Sequence, residues 1–218
     1  MTRIVLRPVS ASSPSTVAAR RVMAARVSEF GAFGVTHPSV RALPGATGAE
    51  IAVSLPALNP ADLSVALQAL QSPGRFAIIA NGSTHLQIGA SSAGYPVLAT
   101  GHNLVRSRLL TGADAFGRPA VDLSLDDAGA SRLATYTASH ISTYVAIAIA
   151  IAIAIDGRVV TDPIIEGAVT GGQIQIPTTS SAAAAGLVAT LRHGPLPGPY
   201  RIVSVTRSLL SSQPTGAS

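Results

Sequence analysis

Between residues 3 and 80 the apolar positions switch repeatedly between two periods. Residues 3–9 place Ile4 and Leu6 two apart, the spacing of a strand with one buried face. Ser13-Pro14 is a helix start, a capping residue followed by proline at the first helical position. Met23, Val27 and Phe30 then recur at helical spacing until Gly31 and Gly34. Residues 39–43 and 50–55 read as strands joined across the turn-forming run 44–48. Asn59-Pro60 repeats the cap-then-proline start, and Leu63, Leu67 and Leu70 line one face of the helix that follows. Residues 75–80 form a final strand. The order β-α-β-β-α-β predicts an α+β fold with a ferredoxin-like arrangement, one sheet face lying under two helices.

Residues 81–118 lose this periodicity. Gly, Ser, Ala and His dominate, which predicts a long irregular connection with one short strand near 86–88. Residues 119–125 alternate again through Val121, Leu123 and Leu125. Asp126 or Asp127 caps a helix running to about His140, with Leu133, Tyr136 and Ile141 toward its core. Across 145–155 Ala and Ile alternate strictly. In a strand all the Ile side chains face one way, whereas a helix scatters them around its circumference. Fully extended, these residues span roughly 36 Å, and their register is weakly specified because a two-residue slip exchanges Ile for Ile. Asp156-Gly157 is a two-residue hairpin signal, with 158–161 returning. A short helix at 164–169, a strand at 173–176, an Ala-rich helix at 178–193 stopping at Gly194, and a last strand at 200–205 complete the reading. Leu187 and Leu191 share a face of the Ala-rich helix, and residues 213–218 are expected to form a disordered tail.

Composition narrows the function classes. The 218 residues suffice for one or two domains with a real core. The formal charge is +5, every one of the 15 basic residues is Arg, and no like-charge run exceeds Arg20-Arg21. With aromatics at 4% and no Trp, this argues against a single-strand nucleic-acid groove, which needs clustered basic residues and stacking rings, and no nucleic-acid partner is expected. The absence of Cys removes disulfides, thiol nucleophiles and thiolate metal sites. A hydrophobic content of 47% raises the question of a membrane span. Within 137–155 only residues 144–155 are continuously apolar, short of the roughly 20 a spanning helix needs, so no transmembrane span is expected. The N-terminus has no apolar stretch of signal-peptide type.

Catalytic chemistry is sparse. His37, His85, His102, His140 and His193 fall in no metal spacing. His140 and His193 lie near helix ends, where they cap carbonyls or meet solvent. Asp126-Asp127 reads as helix capping rather than a carboxylate pair, and Gly171-Gly172 lacks the Gly-Lys-Ser/Thr ending of a phosphate loop. No catalytic residue, metal or cofactor is expected, and the chain is not read as an enzyme.

The order and spacing of several segments carry a resemblance. They are residues 138–147 (Ala-Ser-His-Ile-Ser-Thr-Tyr-Val-Ala-Ile), 155–160 (Ile-Asp-Gly-Arg-Val-Val), Pro163-Ile164-Ile165, and Gly171-Gly172-Gln173-Ile174. To these add Leu110-Thr111-Gly112-Ala113-Asp114, Gly117-Arg118-Pro119-Ala120-Val121, and residues 187–199 (Leu-Val-Ala-Thr-Leu-Arg-His-Gly-Pro-Leu-Pro-Gly-Pro). Upstream, Arg26-Val27, 31–35 and 51–56 fit the same pattern. Together they resemble SecD, the membrane subunit that assists protein export through the Sec translocon, over roughly 3–210.

The resemblance implies the first large extracytoplasmic domain of that family. Its ferredoxin-like base would comprise 1–84 and 177–212, its inserted α+β head 85–176, and its hinge Thr84, His85, Ile176 and Thr178. It further implies binding of unfolded preprotein on the extracytoplasmic face of the membrane, with other Sec membrane subunits as partners. Departures are also clear. The chain begins at the base strand, without the Gly-Leu-Asp-Leu-x-Gly-Gly motif, and lacks the membrane helices that carry the family's proton-coupling residues. No proton coupling by this chain alone is expected. The stretch between Asp114 and Gly117 is short, Thr161-Asp162-Pro163 stands for the family's Ser-Ala-Pro, and the Ala-Ile repeat adds about six residues, an even number that preserves which face each side chain occupies. Two other readings stand beside this one: a stand-alone soluble ferredoxin-like module binding a small ligand or partner, and a truncated, non-functional fragment.

Overall fold

The computed structural model describes residues 1–9, 16–44, 50–82, 84–140, 149–162, 164–165 and 167–208. The helix start at Ser13-Pro14, turn residues 45–49, Ile141 with the first part of the Ala-Ile run, and the tail 213–218 lie outside them.

Four strands make the base sheet, in the order β12-β1-β3-β2: β1 (Thr2–Pro8), β2 (Ser39–Leu43), β3 (Glu50–Leu55) and β12 (Tyr200–Arg207), each antiparallel to its neighbours. The register pairs Ile4 with Val53 and Leu6 with Ile51, so these four share the inner face. Two helices, α1 (Thr16–Ser28) and α2 (Pro60–Gln71), cover it with Met23, Val27, Leu63 and Leu70. Helix α1 runs into a 3-10 turn at Glu29–Phe33 and stops at Gly34, φ +69°. Helix α2 starts as read: Asn59 Oδ1 accepts from Asp62 N at 2.8 Å, a cap worth about 1 kcal/mol.

The strand read at 75–80 exists as β4 (Phe76–Gly82) but does not join this sheet. It pairs with β8 (Ile149–Ile155) on one side and β5 (Val97–Thr100) on the other, and β12 takes the edge of β1 instead. The physical reason is two-sided burial. Ile78 and Ile79 point to opposite faces and both are buried, which suits a central strand with cover above and below. Strand β12 tolerates an edge, with Val203 and Val205 exposed. Residues 76–82, read as part of the base, therefore pair within the head.

The head contains two sheets. One runs β10-β8-β4-β5, with β9 (Arg158–Thr161) also on β8 and β10 being Ile164–Ile165. The other is three-stranded, β11-β7-β6, from β6 (Leu110–Ala113), β7 (Pro119–Ser124) and β11 (Gln173–Pro177). Phe76, Ile78 and Ile153 share one core with Val121, Leu123 and Ile176. Within the Ala-Ile run the described residues, Ile149–Ile155, form a strand as expected. Ile153 faces that core opposite Ile78, while Ala152 faces a smaller cluster with Ile79 and Val159. Asp156 (φ +53°) and Gly157 (φ +78°) make the turn, the paired left-handed conformation of a tight hairpin.

Three readings are corrected. Residues 86–88 are not a strand, and β5 and β6 lie where irregular chain was expected. Strand β6 is exposed throughout, so it carries no alternation of burial to reveal it. Ile164–Ile165 is a strand on β8 rather than a helix start; β-branched pairs favour that. The β6–β7 hairpin tip carries Phe116, 83% exposed, on a turn organised by Asp114, whose carboxylate accepts from Phe116 N and Arg118 N at 2.9 Å each.

Helix α3 (Asp127–His140) starts on Asp126, whose Oδ1 accepts from Gly129 N at 2.7 Å. Helix α4 (Ser181–Arg192), which the resemblance assigns to the base, packs in both cores. Ala184, Val188 and Leu191 sit in the head core, Ala189 in the base core. Its small residues permit this: a Cβ on Gly186 would lie 2.6 Å from Val65 Cγ1 on α2. Among the described residues no helix is long and apolar enough to cross a membrane.

Candidate functional site

Where α4 spans the two bodies, an open groove of about 930 Å³ is lined by α2 of the base, by α4, and by the β8–β9 hairpin and the end of β11 of the head. Val65, Leu67, Ile155, Val160 and Leu187 are half-buried along it, and Ile88 stands 78% exposed at its rim. Ser64, Gln68, Thr178 and Thr179 interrupt the apolar surface, and its charged members are Asp156 and Arg158. Such a surface offers burial to apolar side chains and hydroxyl or amide partners to a peptide backbone. Among the described residues it presents no charge cluster suited to nucleic acid or to a phosphate. Among the described residues no group of three His, Cys, Asp or Glu side chains is placed to hold a metal.

The sequence missed this site because its walls come from four distant segments. Ile88 left a faint signal, a branched apolar residue between Gln87 and Gly89 in a loop rich in Gly, Ser and Ala.

The four expected hinge residues all lie within the head. Thr84 closes a turn after β4, its N–H donating to Asn81 O at 3.0 Å and its carbonyl accepting from Asn81 Nδ2 at 2.7 Å. His85 Nδ1 is 3.3 Å from Asp162 Oδ2, a carboxylate that also accepts from Leu86 N and Asn81 Nδ2. Ile176 is buried opposite Val121, and Thr178 bonds Pro119 O through both its N–H (2.8 Å) and its Oγ1 (3.0 Å). Ile176 and Thr178 border the groove; Thr84 and His85 do not. His140 lies 2.8 Å from Tyr136 O at the end of α3, as its position suggested.

His193 meets a carboxylate instead. Glu29, in the base, is 2.8 Å from Arg192 Nη1 and 3.1 Å from His193 Nε2. Arg192 Nη2 also donates to Leu109 O in the head, so the cluster links base, α4 and head. Burial pushes the Glu29 carboxyl up, but the hydrogen bonds from Arg192 and His193, with their charge, outweigh it and hold it below its ordinary value of 4.5. A depressed carboxyl stabilises the fold above its unfolded value and loses that contribution as pH falls through the folded one. Urea midpoints measured against pH are therefore expected to fall below about pH 4.5. Glu29→Gln should lower the midpoint at pH 7 and flatten that acid limb; an unchanged limb would remove Glu29 from the account.

Comparison with known proteins agrees with this architecture. Residues 90–198, half of the chain, match the model of the SecDF P1 head subdomain. That match includes α4, in keeping with its packing in the head core. A protein translocase subunit SecDF of Thermus thermophilus is 33% identical over 210 residues, covering 86% of this chain and 27% of that protein. A protein translocase subunit SecD of Acidaminococcus fermentans is 33% identical over 105 residues, covering 48% of this chain and 23% of that protein. The chain thus spans about a quarter of the length of these relatives. A crystal structure of SecDF in its super-membrane-facing form superposes with a TM-score of 0.67 at 28% identity, over 94% of this chain and 30% of that one. A second solved chain, of a membrane component SecDF that enhances protein export, superposes with a TM-score of 0.63 at 26% identity over 95% of this chain and all of the other. In sequence and in fold, this chain belongs to the SecD/SecDF family of protein translocase subunits, as a first extracytoplasmic domain.

Proposed function

We propose that this chain serves Sec-dependent export by holding an extended, apolar segment of unfolded preprotein in the groove between base and head, on the extracytoplasmic side of the membrane. The single observation that supports this most is the groove itself, apolar and open to solvent in a member of a translocase family. An unfolded chain exposes both the side chains such a floor can bury and the amides its hydroxyls can meet. Holding the segment there hinders its return through the membrane without any covalent step. The family's work on the proton gradient is left to membrane segments outside this chain, and other Sec membrane subunits are its expected neighbours.

The test is a titration of the chain with a labelled unfolded secretory precursor, the folded form of that precursor serving as control. Saturable preference for the unfolded form is expected. Ile88→Asp should weaken it about tenfold, the scale of one buried apolar anchor. Because Ile88 is 78% exposed, the substitution should leave the thermal midpoint nearly unchanged. Equal binding of folded and unfolded precursor, or an Ile88→Asp variant that binds as well as the parent, would sink this reading in favour of a module for another ligand.

A further inference from the structure

Both chain crossings between base and head pass a single side chain. The outgoing crossing, 72–75, leads from α2 into β4; the return, 193–199, leads from α4 into β12. Arg26 on α1 lies between them with no exposed surface. Its Nη1 donates to Ala69 O (2.8 Å) and Ser72 O (2.6 Å), and its Nη2 to Pro73 O (3.3 Å) and Gly194 O (2.8 Å). These carbonyls end α2 and follow α4, where helices leave unpaired acceptors and negative partial charge. The planar fork of a guanidinium can meet several at once; an ammonium cannot span them.

The backbone is shaped for this contact. Gly74 and Gly194 hold φ of +79° and +73°, and a Cβ on Gly74 would come within 2.6 Å of Arg26 Nη2. Leu196 N donates to Pro73 O at 2.8 Å, tying the crossings to each other. From the head, Asp156 accepts from Ser72 Oγ (2.5 Å) and Arg75 N (2.8 Å). Among the described residues no carboxylate forms an ion pair with Arg26. Burial pulls its pKa down to about 10, partly offset by Asp156, so it stays cationic at neutral pH. Ala69, Ser72 and Thr190, beside this cluster, also line the groove.

We infer that Arg26 is a clasp: by holding the C-terminal ends of α2 and α4 at the two crossings, 72–75 and 193–199, it sets the width of the groove and holds the head against the base. Its use in export rests on the preprotein reading above; its mechanics do not.

The chain has no cysteine, so spin labels at Arg20→Cys on α1 and Phe116→Cys at the head tip report the base–head distance without background. One narrow distribution is expected for the doubly labelled parent. Arg26→Met should broaden it or add a second population while the helical spectrum and cooperative melt persist; Arg26→Lys should fall between. An unchanged distribution in folded Arg26→Met overturns the clasp. Should Arg26→Met not fold, native-state hydrogen exchange on the unmodified chain decides. The Leu196 amide should exchange at least about tenfold faster than those of Ile78 and Ile153, through an opening smaller than global unfolding. Equal rates overturn the inference. The same samples are titrated with unfolded precursor. A broadened distribution with no precursor binding by any form leaves the clasp standing and removes the groove reading; binding with an unchanged distribution does the reverse.

Discussion

Replacing Ile153 with alanine is expected to destabilise the chain by about 2–5 kcal/mol, the range for deleting a fully buried aliphatic side chain. Ile153 has no exposed surface, and it sits opposite Ile78 at the centre of the core shared by both head sheets. The cost has two parts. The lost methyl and methylene groups forfeit their transfer energy, and a cavity remains because Phe76, Leu123 and Ile176 belong to three different strands and cannot all move inward. The neighbouring residue gives the control. Ala152 is equally buried but already small, and Ala152→Gly removes one carbon, adding only the greater chain entropy of glycine, about 1 kcal/mol. Urea unfolding monitored by circular dichroism measures both. A loss at Ile153 under about 1 kcal/mol would mean that the core is far less tightly packed than native interiors are.

A larger effect is expected from removing a single residue of the Ala-Ile run. The turn at Asp156 is pinned: Asp156 N donates to Arg75 O at 2.8 Å, and its carboxylate accepts from Ser72 and Arg75. Deleting Ala154 therefore shifts everything upstream by one and reverses its faces. Alanine enters the site of Ile153 in the main core, and isoleucine is forced into the sites of Ala154 and Ala152, which have almost no free surface. Cavity and overpacking then act together, each at about 1–5 kcal/mol, comparable to the whole stability of an ordinary domain. The head is expected not to fold. Deleting the pair Ala152-Ile153 instead brings Ala150 and Ile151 into identical sites, and a small loss of about 1 kcal/mol is expected. Thermal melts of the two deletions compare them directly. If both melt alike, the alternation does not set the face.

Where local spacing and punctuation agreed, the elements were legible. Asn59-Pro60, Asp156-Gly157 and the alternation at 119–125 each placed an element within a residue or two. Sheet membership was not legible. Strand β4 follows α2 as a sixth ferredoxin element would, and only its two-sided burial, a tertiary property, separates it from the mostly exposed β12. The groove was illegible for the same reason: α2, α4 and the β8–β9 hairpin meet only in the folded chain. Arg26 shows the limit most sharply. It occupies the buried stripe of α1 with Ala19, Met23 and Val27, a position that helical periodicity reserves for apolar residues. Its use depends on carbonyls at positions 69, 72, 73 and 194, which no pattern within α1 can announce.

Strands β1 and β12 are paired along their whole length, and the pairing continues past them. Met1 N donates to Ser208 O at 2.7 Å, and Ser208 N to Met1 O at 2.8 Å. A reciprocally bonded antiparallel pair keeps its Cα atoms about 5.5 Å apart. The folded body is therefore entered and left at one point, like a bead on a doubled thread. It can be set into a loop of another protein with little loop-closure entropy, and its own ends can be bridged by a few residues and reopened at the exposed tip beside Phe116 without disturbing either core.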